Sequence, residues 1–304
     1  MQLQRTIKKD ICYDGIDFYG GNKVNVYLRP SEVDTGIVFR TGNGHVGANI
    51  SYASASQCSI LLKNGSAAAI HVEHILATLF AYGIDNAFID LVRVPSRSFS
   101  FLNRVGLATN IEVAPVSDDR EVTLCEKIEE IGVEIQSRER RLLTLDAPVY
   151  TEKLSFEPIN GDWLVIKATT DYPIPGEESL EVLITPETYK SQLARSRMYA
   201  KHLKFGVHSR IASAVASLVY PSFGIGHGFT PSTVFLPART LEEWREQENV
   251  PSEIAAHTIV DRLGALALLD GRLDGVKVTT RFSGHKNDLY VIRNFLLPNL
   301  VEKK

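Results

Sequence analysis

Cysteine is scarce in this chain: Cys12, Cys58 and Cys125 are the three among 304 residues, widely spaced and odd in number. They make no disulfide framework and no thiolate metal site, and they suit a reducing cytoplasm. Long apolar runs are missing too. No stretch approaches the roughly 18 consecutive apolar residues that cross a bilayer, so a transmembrane segment is not expected. The N-terminal MQLQRTIKKD lacks the apolar core of a signal peptide, which again points to the cytoplasm. Positive charge is not in excess either. The formal net charge is -3, whereas a nucleic-acid binder carries a basic patch or stripe. Nucleic acid is therefore not an expected partner.

What is present reads as an ordinary globular protein, 44% hydrophobic and 23% charged, long enough for two domains of about 150 residues. Residues 23–30 (KVNVYLRP) and 36–40 (GIVFR) read as strands, by alternation or by short β-branched runs bounded by turn residues. The spacing of Ile75, Leu76, Leu79 and Phe80 predicts a helix over His71–Tyr82 with one apolar face, ended by Gly83. Residues 87–92 read as a strand, and Thr123–Ile131 as a helix closed by Gly132. From about Arg141 the theme repeats, with turn signals at Asn160-Gly161 and Pro175-Gly176. Helices are expected over Pro186–Lys204 and Ser252–Leu269, a strand over 276–284, and a C-terminal helix up to Pro298.

This order predicts an α+β fold of two similar two-layer sandwich domains packed face to face, 1–140 and 141–304. An insertion is expected near 93–114. No short repeat is visible, so any duplication lies at the level of the fold.

Eight histidines occur. His45, His202, His208 and His227 sit in polar or Gly-rich contexts with no chemical company. His71-Val72-Glu73-His74 stands at a helix start. Adjacent Glu and His point about 100° apart on a helix, so one can bind a metal while the other serves as a base. The plainer alternative is a charged first turn, with Glu73 meeting the helix dipole. His257 and Asp261, at i and i+4, share one face of an apolar helix within reach of one Zn²⁺. A surface His–Asp pair is the equally weighted alternative. A buried Asp261 beside Ile259, Val260 and Leu263 would be costly without a partner, and a cation removes that cost. His285 follows in the turn Ser283-Gly284-His285. His74, His257 and Asp261 would make a three-donor set with an open position, the form of a catalytic zinc site.

These residues carry a resemblance. HVEHILATLFAYGIDNAFIDL (71–91), HTIVDRLGALALL (257–269) and FSGH (282–285) resemble the signature helices and histidine turn of the UDP-3-O-acyl-N-acetylglucosamine deacetylases. QRTIKKDICYDGIDFYGG, RPSEVDTGIVFR, DYPIPGEESL and ARSRMYA extend the likeness over nearly the whole chain. The resemblance implies a zinc amide hydrolase of lipid A synthesis, with its site at the junction of two α+β sandwiches. It implies His74, His257 and Asp261 as zinc ligands, Glu73 as general base and His285 as general acid toward the amine. It places Tyr172 and Tyr199 at the nucleotide end of an acylated UDP-sugar, and is compatible with peripheral contact with the inner membrane. A divergent amidase on another N-acyl sugar, or a weakly active or inactive binding relative, is the alternative.

Five positions depart from the family pattern. Met198 replaces a threonine that helps hold the oxyanion. Ala265 replaces an aspartate that orients the catalytic histidine. Thr258 replaces a lysine, Tyr19 a histidine, and residues 115–121 only partly follow a substrate loop. Asp270 and Asp288 are the other acids placed to serve the histidine. The small and apolar stretch 212–229 follows the position of the family's acyl-chain tunnel.

Overall fold

The computed structural model describes residues 2–17, 23–56, 59–94, 111–115, 119–199, 234–235, 238 and 240–303. Its α-helices among these are α1 (Glu73–Ala81), α2 (Asp119–Ile131), α3 (Pro186–Thr188), α4 (Leu241–Gln247), α5 (Glu253–Leu266) and α6 (His285–Val291). Tyr19, His202, His208, His227, the stretch 212–229 and residues 95–110 of the expected insertion lie outside the described residues. The end of that insertion, Glu112–Val113, is a strand parallel to Ala67–Ile70.

Two five-stranded sheets dominate. The first is ordered Ile11–Ile16, Lys23–Pro30, Ala87–Arg93, Ile37–Thr41, Gly44–Gly47. Its neighbours run antiparallel, antiparallel, parallel, antiparallel. The second is ordered Val149–Tyr150, Leu154–Pro158, Val276–Arg281, Leu164–Tyr172, Gly176–Leu183 and repeats those senses one for one. In both, the strand that comes last in the chain lies in the centre. In both, the long connection leading to that strand contains a buried helix, α1 in one and α5 in the other. The fold is thus α+β with a duplicated topology, as expected. Among the described residues no strand pair joins a residue before 141 to one after 140.

Alternation explains the inner faces. Val24, Val26 and Leu28 point inward from one sheet and Leu164, Ile166 and Ala168 from the other, all but closed to solvent. Each fully buried aliphatic side chain stabilises by about 1.5–3 kcal/mol. On top of these faces lie α1 and α5, which pack against each other. Every residue of α1 is buried, not only the face given by Ile75, Leu76, Leu79 and Phe80. A helix held between its own sheet and a second helix has no solvent side.

At their crossing a glycine decides the distance. A Cβ on Gly264 would stand 2.3 Å from the carbonyl oxygen of Glu73 and 2.8 Å from its Cα, so only hydrogen fits there. The C-terminal carbonyls of α1 are met across the halves by Arg272, which donates to Phe80 O at 2.6 Å, and locally by Arg140, which donates to Gly83 O at 2.7 Å.

Three elements differ from the sequence reading. The helix expected over Pro186–Lys204 ends early: α3 passes into a wide turn over Tyr189–Leu193, and Met198–Tyr199 is a short strand. Tertiary contacts override helix propensity there, because the Ser196 carbonyl and the Arg197 guanidinium are both taken by α5. The helix α2 starts at Asp119, four residues before Thr123. The last helix begins at His285 and is followed by a strand, Leu300–Glu302, paired with Leu142–Leu145.

Candidate active site

The first turn of α1, the middle of α5 and the start of α6 converge. Glu73 and His74 come from α1, His257 and Asp261 from α5, and His285 from α6; all are buried but Asp261, whose side chain is 18% exposed. Asp261 Oδ1 lies 3.8 Å from His74 Nε2, 3.5 Å from His257 Nε2 and 3.9 Å from His285 Nε2. Glu73 Oε1 lies 3.6 Å from His285 Nε2. Asp261 Oδ1 and Glu73 Oε1 are both buried without a hydrogen-bond partner. Such orphaned oxygens among imidazoles are what a cation would satisfy.

Three of these side chains, His257, Glu73 and His74, are aimed by neighbours. His257 Nδ1 faces the Ser196 carbonyl at 3.0 Å, and since a carbonyl can only accept, Nδ1 carries a proton and Nε2 is the nitrogen turned toward Asp261. Ser196 is held in turn through Arg197, whose backbone N–H and guanidinium donate to Glu253 at 2.7 and 2.8 Å. Glu73 Oε2 accepts from the Ile60 N–H at 3.0 Å. His71, with φ at 66°, presses its ring on His74 with centroids 4.9 Å apart, and its Nδ1 faces Pro115 O at 3.3 Å.

Charges sort the donors. Burial works against an ionised Asp261, yet the neighbouring His257, His285, His74 and Arg262 hold its carboxyl far below the usual range. Glu73 goes the other way: burial, then Asp261, push it up to about 8. Burial lowers His74, and it lowers His285 to about 4, so both rings are neutral near pH 7. Two donor groups share His74, namely His74–His257–Asp261 and His71–Glu73–His74. The first offers an ionised carboxylate, the second a protonated one, so the first suits a cation better.

The chain matches the family described as UDP-3-O-acyl N-acetylglycosamine deacetylase over residues 4–296. It belongs to that family. Deacetylases of this name in Acidithiobacillus ferrooxidans and Thermodesulfovibrio yellowstonii are 27% and 24% identical to it, over 99% and 97% of this chain and 90% and 92% of theirs. A Neisseria meningitidis serogroup C deacetylase is 25% identical over 97% of this chain and 89% of its own length.

Against that family pattern, the remaining positions fall as follows. Tyr172 and Tyr199 pair with ring centroids 4.6 Å apart, flanked by Phe282 at 6.2 Å and Trp244 at 5.6 Å. Ala265 is fully buried, and His285 Nδ1 has no hydrogen-bond partner. Thr258 Oγ1 bonds its own helix at Ile254 O, 2.8 Å. Asp270 pairs at the surface with Arg141, at 2.7 Å, and Asp288 is buried against Arg262. Neither acid takes the His285 ring nitrogen. His45 is exposed in a hairpin. The parts missed from sequence are Gly264, the Arg197–Glu253 brace and the Arg262–Asp288 pair. No motif announces them, because each needs a partner far along the chain or on another element.

No helix among the described residues is long and apolar enough to cross a membrane.

Proposed function

We propose that this chain is a zinc-dependent deacetylase that hydrolyses the N-acetyl amide of an acylated UDP-N-acetylglucosamine, as in lipid A biosynthesis. The observation that carries this reading is the meeting of His74, His257 and Asp261 with Glu73 and His285 where α1 crosses α5. The residues fit a zinc ion: the imidazoles of His74 and His257 and the ionised carboxylate of Asp261 would hold it, His257 through Nε2. When bound, zinc lowers the pKa of water toward about 7 and polarises an amide carbonyl.

The rest falls to the protein. Glu73 is raised to about 8 when no ion is present, and a cation beside it would favour its ionised form, which takes a proton from the attacking water. His285 is neutral at rest, so it becomes an acid only once a proton reaches it, and Glu73 Oε1 at 3.6 Å is the donor at hand. The imidazolium then steadies the oxyanion and protonates the leaving amine, giving acetate and a free amino sugar. Tyr172 and Tyr199 receive the nucleotide end. The domains divide at 140/141, which the separate sheets support, and the enzyme works in the cytoplasm, in peripheral contact with the inner membrane.

About one zinc per chain is expected in protein purified without chelators, and none in His74→Ala or Asp261→Ala. Purified wild-type protein without stoichiometric metal would end the reading. Met198, Thr258 and Ala265 favour a second reading, a divergent amidase on another N-acyl sugar. The change Met198→Thr with Ala265→Asp separates the two. On the acylated UDP-sugar we expect kcat to rise about tenfold with KM little changed, because both groups act mainly in the transition state. A wild type already turning over at about 1–10 s⁻¹ or faster and unmoved by the change means that other residues supply both roles.

A further inference from the structure

His285 is placed without a partner for its Nδ1. That Nδ1 is buried and unbonded, and the buried methyl of Ala265 on α5 offers no acceptor or donor. A side chain so free should wander unless its backbone is fixed. One device in the structure fixes that backbone. Arg262, next to the candidate ligand Asp261 on α5, is 2% exposed and forms an ion pair with Asp288 of α6, which is fully buried. Arg262 Nη2 also donates to Ser283 O at 2.9 Å, and Nε to Thr258 O at 3.3 Å. The Ser283 hydroxyl donates to Asp288 Oδ1, and Asn287 Nδ2 donates to Ser283 Oγ at 2.9 Å. The Asp288 N–H returns to Gly284 O at 3.0 Å. Apart from the Nε bond to Thr258 O, which stays on α5, these links close on Phe282-Ser283-Gly284-His285, a turn that begins with Phe282 at φ 51°, in the left-handed region.

A buried ion pair is a poor device for stability alone. Removing both charges is often neutral or stabilising, while removing one is strongly destabilising. The position of the pair suggests another use: it ties the helix that supplies His257 and Asp261 to the turn that supplies His285. We propose that Arg262 and Asp288 are positioning residues that hold His285 in register with Asp261 through its turn, in place of a partner on its ring. This rests on the catalytic role given to His285 above.

The test removes both charges together, Arg262→Met with Asp288→Leu, with and without His285→Gln. The double variant should melt close to wild type, bind about one zinc and keep its KM within about threefold, while kcat falls about 10–100-fold. Adding His285→Gln to it should cost less than the same change costs in wild type, because the pair acts through that ring. Should the apolar pair not fold, Arg262→Gln with Asp288→Asn keeps hydrogen bonds without charge and carries the same expectation. Wild-type kcat in a folded, zinc-loaded variant would overturn the proposal. So would a loss that adds in full to that of His285→Gln, which marks the pair as structural only. If His285→Gln alone leaves kcat unchanged, the catalytic assignment of His285 fails first and takes this proposal with it.

Discussion

Glu73→Gln is expected to lower kcat by about 10²–10⁴-fold while about one zinc per chain stays bound. The substitution keeps the shape of the side chain and an oxygen to accept the Ile60 N–H, so the strand it braces need not move. What goes is the group that takes the proton. The same variant has a signature in the metal-free protein. Burial, aided by Asp261, raises the Glu73 carboxyl from 4.5 to about 8. Between those values the folded chain holds a proton that the unfolded chain has released. Its contribution to stability is complete below about 4.5 and is lost as pH rises to about 8. Denaturant unfolding of metal-free wild type should show this decline, and Glu73→Gln should flatten it. A variant that sheds its zinc instead would make Glu73 a ligand and give His71–Glu73–His74 the ion.

Gly264→Ala should be damaging although helix propensity argues the reverse. In an exposed helix the change would stabilise by about 1 kcal/mol. Here the new methyl would stand 2.3 Å from Glu73 O, and backbone cannot give way as a side-chain tip can. Overpacking of this kind costs about 1–3 kcal/mol. Relief comes by pushing α1 off α5, which carries Glu73 and His74 away from His257 and Asp261. A displacement of about 1 Å costs about 10²-fold in rate, so kcat and zinc affinity should fall together with the melting temperature. A more stable variant with unchanged kcat would show that the helices have slack at the crossing.

The sequence made the donors legible because their chemistry is local. His257 and Asp261 are one turn apart, Glu73 and His74 are adjacent, and a buried carboxylate beside imidazoles asks for an explanation. The strand 23–30 was legible for a similar reason, since alternation is written into it by itself. What could not be read is what depends on distant partners. Gly264 looks like a flaw in a helix until Glu73 is placed against it. Arg197 and Glu253 lie 56 residues apart, and Leu300–Glu302 becomes a strand only beside Leu142–Leu145. The helix expected through Lys204 was lost to such a partner: Arg197 turns away to Glu253, and the chain extends where propensity alone would coil it.

The repeated sheet order has a consequence for how the centre came apart from its own symmetry. Two like-built halves bring like helices together, and two identical helices would have offered the same groups twice. One continuous chain let them diverge. α1 kept a carboxylate and an imidazole in its first turn, while α5 kept an imidazole and a carboxylate in its middle. The partners of α1 therefore belong to the other half, and Asp261 has partners in both. On the proposed reading neither half holds the whole site, and the chemistry is a property of the seam. A disturbance that parts the halves by an ångström can silence the protein while both sheets remain whole.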